Sequence, residues 1–413
     1  MKNSNKKSEN IEIDDYFMKN YTDAGNYEWK CLNPNKKSND KDKIEGLVFY
    51  GEKKNENEKE KKNEKENEKE NEYEFIFVKQ IKFPFNKKNV FLILKEIYFL
   101  IFLKEYDYFV ELDDILLKNE SDMNKSVFLV FKNNQKESLD LDCLIKSSQT
   151  GNKANQNYLE NKDLIKWIIY QIACGLYTLH NNNIIHNDIK PTNILINNEG
   201  GINICDFGSM CYKGEKSSSF TRQYTAPEFL LDDNIIRDEK SDMWAFGVII
   251  LELLCKKPNY FKINNEQDNI SSFKGKNRKQ LNLIFSKFGI ISENISKEEL
   301  NKIINDNDSA EKYIIILNID EIDKINDKDA LDLIYHLLIL NKNKRYSAEQ
   351  VLKSKYLQEY FSCFNELDLP KIKNMKNILD YNNNYKKYFS ESIIDEEIFI
   401  KIYKDLYSKL KII

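Results

Sequence analysis

Four polar residues near the middle of the chain lie at a spacing suited to phosphoryl transfer. Asp188 is followed two residues later by Lys190 and five residues later by Asn193, and Asp206 opens a second short motif, Asp-Phe-Gly. An aspartate can accept the proton of a hydroxyl group, and a lysine can neutralise phosphate charge. The oxygens of Asn193 and Asp206 are ligands of the kind that Mg²⁺ prefers. Because phosphoryl transfer depends mainly on positioning and charge neutralisation, these residue types suffice for it.

The surrounding pattern, His-x-Asp-x-Lys-Pro-x-Asn followed by Asp-Phe-Gly, resembles the catalytic core of eukaryotic protein kinases. The resemblance implies transfer of the γ-phosphate of ATP to a hydroxyl, with Mg²⁺ and ATP as cofactors. Asp188 would orient the hydroxyl and Lys190 would neutralise phosphate charge. Asn193 and Asp206 would hold both the metal and the nucleotide, and His186 would pack under the Asp-Phe-Gly segment as a scaffold.

A kinase also needs a lysine that binds the α- and β-phosphates and a helix glutamate that holds this lysine. Lys79 closes Ile-Phe-Val-Lys, which resembles the family's Val-Ala-Ile-Lys, and Glu96 lies on the predicted next helix. Lys82 competes with Lys79, but it would put Gln80 where an apolar residue should contact adenine. The same resemblance assigns nucleotide contacts to three further residues, Gly46, Val48 and Phe131.

Three other motifs are implied to support the larger lobe and the substrate site. Glu228, in Ala-Pro-Glu, and Arg345 are the positions that form a buried ion pair in kinases. Asp242 should hydrogen-bond the backbone of the catalytic loop. Thr221 matches the threonine that bonds the catalytic aspartate in serine/threonine kinases, so the resemblance favours Ser/Thr substrates. We interpret the two remaining histidines as core or boundary residues; they are His180 and His336.

A low-complexity segment interrupts the first part of the chain. Residues 52–72 contain only Glu, Lys and Asn, and strand-like runs flank them at Leu47–Tyr50 and Phe75–Ile81. Such a composition cannot bury a core, so the segment should be disordered or a solvated helix. The pattern predicts a hairpin with an inserted loop at its tip, and a docking tail is the functional alternative.

The order of elements predicts the fold class. Residues 89–104 and Leu164–His180 show helical apolar spacing, and Ser126–Phe131 is a β-type run. Ser241–Cys255 is apolar nearly all round, which is typical of a helix at the centre of a large lobe. Strands come first and helices later, so we expect a small β-rich N-lobe and a larger helical C-lobe. With the resemblance to protein kinases, this implies an α+β, bilobal protein kinase fold. A hinge is expected near Lys132–Asn134.

These elements predict four segments. They are an N-terminal extension (1–21), the N-lobe with its insert (22–132), the C-lobe (133–360) and a C-terminal tail (361–413). Within the tail, residues 391–413 repeat apolar side chains every four residues, as expected for an amphipathic helix. We expect this helix to pack back on the kinase body, and a partner-binding helix is the alternative.

Beyond the catalytic core the chain resembles the mitogen-activated and cyclin-dependent branch, and most of all a divergent mitogen-activated protein kinase. The segments that carry this resemblance lie mainly in the second half of the chain. They are Thr221–Tyr224, Phe273–Asn277, Gln280–Phe285, Glu298–Asn305, Ala330–Ile334 and Glu366–Lys371.

The nucleotide-binding part departs from the family pattern at two places. Of the glycine-rich loop that covers the phosphates, only Gly46 and the following Val48 are kept, after a divergent stretch at Asn33–Ser38. Backbone N–H groups approach phosphates closely only where glycines allow it, so weaker ATP binding is expected. Phe77 replaces the small alanine that roofs the adenine, and its ring would crowd the nucleotide.

The regulatory and substrate-binding positions depart as well. Asn187 replaces the arginine that normally binds an activation-loop phosphate, and Lys216 and Ser218 stand where the branch has its Thr-x-Tyr phosphosite. We therefore expect that loop phosphorylation does not switch this protein in the family way. Thr225 replaces the arginine that sets the pocket for proline after the phosphosite, so a preference for proline is not expected.

Composition excludes several other classes of function. The net charge is only −4, with 63 basic and 67 acidic residues, which gives no nucleic-acid footprint. The seven cysteines never form Cys-x-x-Cys, so neither a disulfide framework nor a zinc site is predicted. No 18-residue uncharged apolar run and no apolar signal core occur. We expect a soluble, monomeric protein of the cytoplasm or nucleus that binds a protein substrate, with no nucleic acid or membrane as partner and with a regulatory protein partner left open.

Two functions of different classes fit the sequence. The leading hypothesis is an active serine/threonine kinase, since nothing in a scaffold requires Asp188 and Asn193 together. The alternative is a pseudokinase that acts as a binding or scaffold module, which the degraded glycine loop and Phe77 favour. A small-molecule kinase on the same fold has less support, because Thr221 and the Ala-Pro-Glu motif point to a loop that binds protein substrates.

Overall fold

The computed structural model describes residues 27–31, 45–54, 73–119, 124–132, 139–149, 158–215, 221–232, 236–263, 273–287, 325–363 and 396–412. The chain forms two compact units. The first contains the described residues up to Ile97, those from Glu111 to Lys132, and the C-terminal helix. The second contains Tyr98–Val110 and the described residues from 139 to 363.

A five-stranded antiparallel sheet organises the first unit, in the order β1-β2-β3-β5-β4. The strands are β1 (Tyr27–Cys31), β2 (Glu45–Lys54), β3 (Tyr73–Pro84), β4 (Leu112–Asn119) and β5 (Asn124–Lys132). As predicted, β2 and β3 form a hairpin, which closes with Lys54 opposite Tyr73. The predicted insert is too long by three residues at its start, because residues 52–54 continue β2 and pair with β3. Residues 55–72 lie outside the described part of the chain.

Strand β3 is covered on both faces. Ile76 and Val78 are buried on one face, and Ile81 and Phe83 are buried on the other. Since alternate side chains of a strand share a face, Lys79 lies on the face of Ile81 and Phe83. Helix α1 (Lys87–Leu103) follows β3 and begins two residues before the predicted start.

Helices dominate the second unit. They are α2 (Leu141–Ser147), α3 (Lys162–Asn181), α4 (Pro227–Leu231), α5 (Glu239–Cys255), α6 (Phe273–Lys287), α7 (Lys328–Leu337), α8 (Ala348–Leu352) and α9 (Gln358–Cys363). Five short strands accompany them: β6 (Leu139–Asp140), β7 (Ile184–Ile185), β8 (Ile194–Ile196), β9 (Ile202–Ile204) and β10 (Cys211–Tyr212). β6, β8 and β9 form one small antiparallel sheet, and β7 pairs with β10.

Helix α5 is the centre of this unit, as its apolar composition predicts. Every residue from Ser241 to Leu253 is buried. The helix begins at the N-cap Asp238, whose carboxylate accepts a hydrogen bond from the backbone of Lys240. A side chain at Gly247 would place its Cβ 2.8 Å from the Cβ of Leu337, so the glycine permits the close packing of α7 against α5.

Helix α10 (Glu396–Ile412) belongs to the first unit. Its buried side chains include Phe399, which meets the ring of Phe85 edge-on with 5.5 Å between centroids. The hydroxyl of Tyr403 donates to the carbonyl of Ile115 in β4 at 2.9 Å. The predicted helix therefore forms, and the described part of it packs on the sheet. Its first predicted residues, 391–395, lie outside the described part.

The α+β architecture of the expected kinase fold is confirmed. Two strands, β1 and β4, were not predicted, and the expected hinge falls partly outside the described residues. None of the five cysteines whose side chains the structure describes forms a disulfide: Cys143, Cys174, Cys205, Cys211 and Cys255. Among the described helices, none combines the length and apolarity needed to span a bilayer.

Candidate active site

Helix α5 holds the loop between β7 and β8 through the side chain of Asp242. The backbone N–H groups of His186 and Asn187 donate to the two carboxylate oxygens of Asp242, each at 2.8 Å. Asn187 has a left-handed backbone, with φ of 69°, so the chain turns directly after the two N–H groups that this carboxylate binds. The predicted hydrogen bonding of Asp242 to this loop is confirmed.

Three of the predicted site residues meet around one carboxylate. The hydroxyl of Thr221 donates to Oδ1 of Asp188 at 2.6 Å, and Nζ of Lys190 donates to Oδ2 at 2.5 Å. Lys190 also lies 3.2 Å from the hydroxyl oxygen of Thr221. The arrangement holds the Asp188 carboxylate from two sides. Oδ2 also accepts from the side-chain nitrogen of Asn193 at 3.4 Å, so Oδ1 is the oxygen with room for a further donor.

Asn193 lies against the same loop and is tied to the Asp-Phe-Gly segment. Its side-chain nitrogen donates to the backbone carbonyl of Asp188 at 2.8 Å. Its backbone carbonyl accepts from the backbone N–H of Cys205 at 2.9 Å. The side-chain oxygen of Asn193 is thus the atom that remains for a metal. Asp206 follows Cys205 directly and has a left-handed backbone, with φ of 66°.

This pair of oxygen ligands fits Mg²⁺. Among the described residues there is no group of three or more His, Cys, Asp or Glu that could hold a metal. Mg²⁺ does not need one, because it commonly binds through one or two protein oxygens together with phosphates and water. The carboxylate of Asp206 and the amide oxygen of Asn193 are therefore a sufficient donor set.

His186 has the scaffold position that the sequence predicts. Its ring meets that of Phe207 edge-on, with 6.0 Å between centroids, and Nε2 lies 3.2 Å from the carbonyl oxygen of Cys205. Complete burial lowers the pKa of His186, which favours the neutral ring. A neutral, buried imidazole braces the segment without adding charge to the site.

The interpretation of His180 as a plain core residue is incomplete. Its Nε2 lies 3.1 Å from Oδ2 of Asp242, the carboxylate that anchors the catalytic loop. Burial works to raise the pKa of Asp242, but the hydrogen bonds from His180 and from the backbone of Asn187 outweigh it and lower the pKa. The only sequence signal for this contact is a histidine near the end of a buried helix.

His336, by contrast, stacks on Tyr346 with 4.1 Å between ring centroids, at the boundary of the core.

The predicted ion pair between Glu228 and Arg345 is confirmed. The two terminal nitrogens of the guanidinium donate to the carboxylate, at 2.8 and 3.1 Å, and both residues are almost completely buried. Arg345 also donates to the carbonyl of Lys240 at 2.7 Å and lies over the ring of Trp244. This bidentate pair joins the segment after Thr221 to the first turn of α5 and to the stretch that follows α7.

In the first unit, Lys79 is the lysine that contacts helix α1. Its Nζ lies 2.7 Å from Oε1 of Glu96, which is buried. The competing Lys82 is exposed, and Gln80 bonds Ser126 on β5 instead. The structure therefore distinguishes two lysines that lie three residues apart in the sequence.

The residues predicted to contact the nucleotide lie on neighbouring strands of the same sheet. Val48 stands opposite Lys79 in the register of β2 and β3 and is 44% exposed, which leaves its side chain available to a ligand. Phe131 on β5 stands opposite Phe77, which is half-buried. Gly46 lies at the start of β2.

Several predicted positions lie outside the described residues. They are Asn33–Ser38 of the degraded loop, the phosphosite positions Lys216 and Ser218, and the branch segments Glu298–Asn305 and Glu366–Lys371. Thr225 is described: it is buried, and its hydroxyl donates to the carbonyl of Thr221 at 3.0 Å.

Comparison with known proteins agrees with this geometry. The family described as "Protein kinase domain" matches residues 63–357. Similar curated proteins include mitogen-activated protein kinase hog1 of Trichoderma harzianum, which is 30% identical over 54% of this chain and 64% of its own length. Mitogen-activated protein kinase mpkC of Aspergillus clavatus is 33% identical over 50% of this chain and 55% of its own length. Extracellular signal-regulated kinase 1 of Dictyostelium discoideum is 29% identical over 68% of this chain and 50% of its own length. The chain thus spans between half and two thirds of the length of these relatives.

Proposed function

This chain belongs to the protein kinase family, with relatives of the mitogen-activated type, and from that premise we propose that it transfers the γ-phosphate of ATP to serine or threonine hydroxyls of a protein substrate. The observation that carries the proposal is the cluster of Thr221 and Lys190 around Asp188. A scaffold has no use for a carboxylate held between a cation and a hydroxyl, whereas phosphoryl transfer needs this arrangement.

In the proposed reaction the substrate hydroxyl oxygen forms a bond to the γ-phosphorus. The bond from that phosphorus to the bridging oxygen of the β-phosphate breaks, and ADP leaves. Asp188 orients the hydroxyl and accepts its proton, and Lys190 neutralises charge on the transferred group. Thr221 holds the carboxylate of Asp188 in place, since its hydroxyl donates to Oδ1.

The nucleotide and the metal would be held by residues whose chemistry fits them. Lys79, fixed by Glu96, would bind phosphate oxygens, and Gly46, Val48 and Phe131 would line the nucleotide. Asn193 and Asp206 would bind Mg²⁺, which when bound neutralises phosphate charge.

The proposed Ser/Thr specificity rests on Thr221, whose hydroxyl bonds Asp188. The protein substrate would place its acceptor hydroxyl at Asp188.

The alternative, a pseudokinase that binds without transferring phosphate, is favoured by Phe77. Its half-buried ring on β3 stands opposite Phe131, where the family has a small residue. If the ring excludes adenine, the Asp188 cluster would never receive ATP. The two functions therefore differ first in nucleotide binding and then in transfer.

Transfer from Mg·ATP to a degenerate peptide library with central serine or threonine distinguishes them. The wild-type chain is compared with Asp206→Asn, and ATP-dependent thermal stabilisation is measured for both. We expect transfer by the wild type, and its loss in the variant because a carboxylate ligand of the metal is removed.

The absence of both transfer and ATP-dependent stabilisation in a folded wild-type chain would support the pseudokinase. Stabilisation by ATP without transfer would indicate that an activating partner is required. Phosphorylation of tyrosine in a matched library would contradict the assignment of specificity to Thr221.

A further inference from the structure

The segment that follows the Asp-Phe-Gly motif is tied to the catalytic loop by a side-chain amide. The side-chain nitrogen of Asn187 donates to the backbone carbonyl of Ser209 at 3.3 Å, and Asn187 is only 6% exposed. The backbone N–H of the same residue donates to Asp242 at 2.8 Å. Asn187 therefore connects helix α5 and the catalytic loop to the segment that begins at Asp206.

A second contact fixes the same segment four residues further on. Nζ of Lys213 lies 2.8 Å from Oε2 of Glu239, and the backbone N–H of Lys213 donates to the carbonyl of Asn183 at 2.8 Å. Burial works to raise the pKa of Glu239, but the hydrogen bonds from Lys213 and from its own backbone N–H outweigh it and lower the pKa. The carboxylate is therefore ionised at neutral pH, and it lies in the first turn of α5, where negative charge is favoured.

The backbone around these two contacts is paired as well. Cys211 stands opposite Ile185 in the two-stranded ladder of β10 and β7. A tight turn follows: the N–H of Glu215 donates to the carbonyl of Tyr212 at 3.0 Å, and the carboxylate of Glu215 accepts from the N–H of Tyr212 at 3.3 Å. The described start of the segment, up to Glu215, is thus held by contacts within the protein.

The partners in these contacts are present in every phosphorylation state of the chain. The resemblance to kinases places an arginine at position 187, and an arginine there needs an anion, which a loop phosphate supplies. An amide needs only a carbonyl oxygen, and the backbone of Ser209 provides it permanently. In the same way, the cation of Lys213 has a carboxylate of the chain as its partner.

The position of Ser209 bears directly on the candidate metal ligand. Asp206 lies three residues before Ser209, and the short turn Phe207–Ser209 joins them. The N–H of Met210 donates to the carbonyl of Phe207 at 3.1 Å, which closes this turn. A hydrogen bond that fixes the end of so short a turn also restricts the carboxylate at its start.

We infer that Asn187 is a positioning residue: its side-chain amide holds the Asp-Phe-Gly segment, and with it the candidate metal-binding carboxylate of Asp206, in place without a loop phosphate. The Lys213–Glu239 pair supports the same segment from its far end. The inference rests on the proposed function and deepens it, because it names the residue that replaces loop phosphorylation in ordering the site.

Hydrogen exchange, measured by mass spectrometry on the phosphate-free and metal-free full chain, tests whether the amide holds the segment. The variants are Asn187→Gly and Asn187→Asp, which both lack the amide donor and both tolerate a left-handed backbone. The matched controls are Asn183→Gly and Asn183→Asp, because Asn183 is also left-handed, with φ of 55°, and is exposed. The glycine variants separate the loss of the donor from the charge that aspartate adds.

We expect slow exchange of residues 209–213 in the wild type, unchanged by prior phosphatase treatment. In both Asn187 variants the exchange should be roughly three- to tenfold faster, the change typical of losing one hydrogen bond. In both Asn183 variants it should stay at the wild-type rate. Exchange within α5 should be the same in every protein, which excludes a general loss of stability.

A second measurement separates a positioning role from a purely structural one. The Mg²⁺ concentration that gives half of the maximal thermal stabilisation by ATP should rise roughly three- to tenfold in the Asn187 variants, because Asp206 is less well fixed. Peptide phosphorylation at limiting Mg²⁺ should fall by a similar factor, and excess Mg²⁺ should restore most of it. The Asn183 variants should match the wild type in both measurements.

Equal exchange in the Asn187 and Asn183 variants would overturn the inference, and so would exchange in the wild type that becomes slow only when the loop is phosphorylated. Faster exchange without a change in the Mg²⁺ requirement would also overturn it, since Asn187 would then only stabilise the fold. If one Asn187 variant does not fold, the other still decides.

The proposed function can fail separately. If ATP stabilises the wild type but no peptide is phosphorylated, transfer by the chain alone is refuted, and the Mg²⁺ requirement still decides the role of Asn187. If ATP does not stabilise the wild type either, hydrogen exchange decides whether the amide holds the segment.

Discussion

The hydroxyl of Thr221 lies 2.6 Å from Oδ1 of Asp188, a residue 33 positions earlier in the chain. This hydrogen bond joins the segment that precedes α4 to the loop that carries the candidate catalytic carboxylate. Lys190 contacts both partners, so the three side chains fix one another. The position of the carboxylate therefore depends on a residue that is remote in sequence.

Thr221→Val should lower transfer to peptide roughly ten- to hundredfold, because an isosteric side chain then leaves Asp188 without its hydroxyl donor. Thr221→Ser keeps the donor and should stay close to the wild type. Single-turnover rates at saturating Mg·ATP measure this effect. Equal rates for the valine and serine variants would show that the bond does not position the carboxylate.

Arg345→Met should lower the free energy of unfolding by about 3–5 kcal/mol, because Glu228 is left buried without its partner. Urea denaturation followed by circular dichroism measures the loss. The control is Lys353→Met, which removes an exposed pair with Glu349 and should change stability by about 0.5 kcal/mol or less. Similar losses in the two variants would contradict the structural role of the buried pair.

A buried carboxylate should make stability depend on pH near neutrality. Glu252 is completely buried and accepts hydrogen bonds from the hydroxyl of Tyr224 and the backbone of Tyr260. Burial outweighs these bonds and raises the pKa of Glu252 from 4.5 to about 7. Between these two values the folded chain holds a proton that the unfolded chain has lost.

Stability should therefore fall as pH rises through this window, since the folded state must give up that proton. The side chain in Glu252→Gln is neutral at every pH, so it adds no pH-dependent contribution to the free energy of unfolding. The difference in free energy of unfolding, wild type minus variant, should decrease from about pH 4.5 to about pH 7 and level off above it. Denaturation curves at several pH values measure the difference, and a flat difference would contradict the raised pKa.

Phe399→Ala should destabilise the first unit by about 3–5 kcal/mol, because the ring is fully buried and packs on Phe85. Lys401→Ala, at an exposed position of the same helix, should have little effect. Thermal unfolding and the rate of proteolysis within α10 measure both variants. A loss below about 1 kcal/mol for Phe399→Ala would show that the helix contributes little to the sheet.

Much of the fold could be predicted from local pattern. The buried helix α5, the hairpin of β2 and β3, and helix α3 follow from apolar spacing over consecutive residues. Strands β1 and β4 were not predicted. In β4 a pair of aspartates, Asp113 and Asp114, breaks the apolar alternation. Asp114 nevertheless is buried in the sheet and bonds the backbone N–H of Ile115.

The sequence by itself determined which residues are the candidates for catalysis. Asp188, Lys190 and Asn193 are close in the chain, so their spacing alone places their side chains near one another. The order of strand-like and helical segments determined the α+β architecture for the same reason, since these patterns are local.

Only the tertiary structure decided contacts between residues that are far apart in the chain. His180 and Asp242 are separated by 62 positions, and a lone histidine in a helix gives no sign of its partner. The same holds for Thr221, which lies 33 positions from the aspartate that its hydroxyl bonds. Burial and charge at these positions are set by the packing of several elements at once. The spacing of residues along the chain does not show which distant elements pack together.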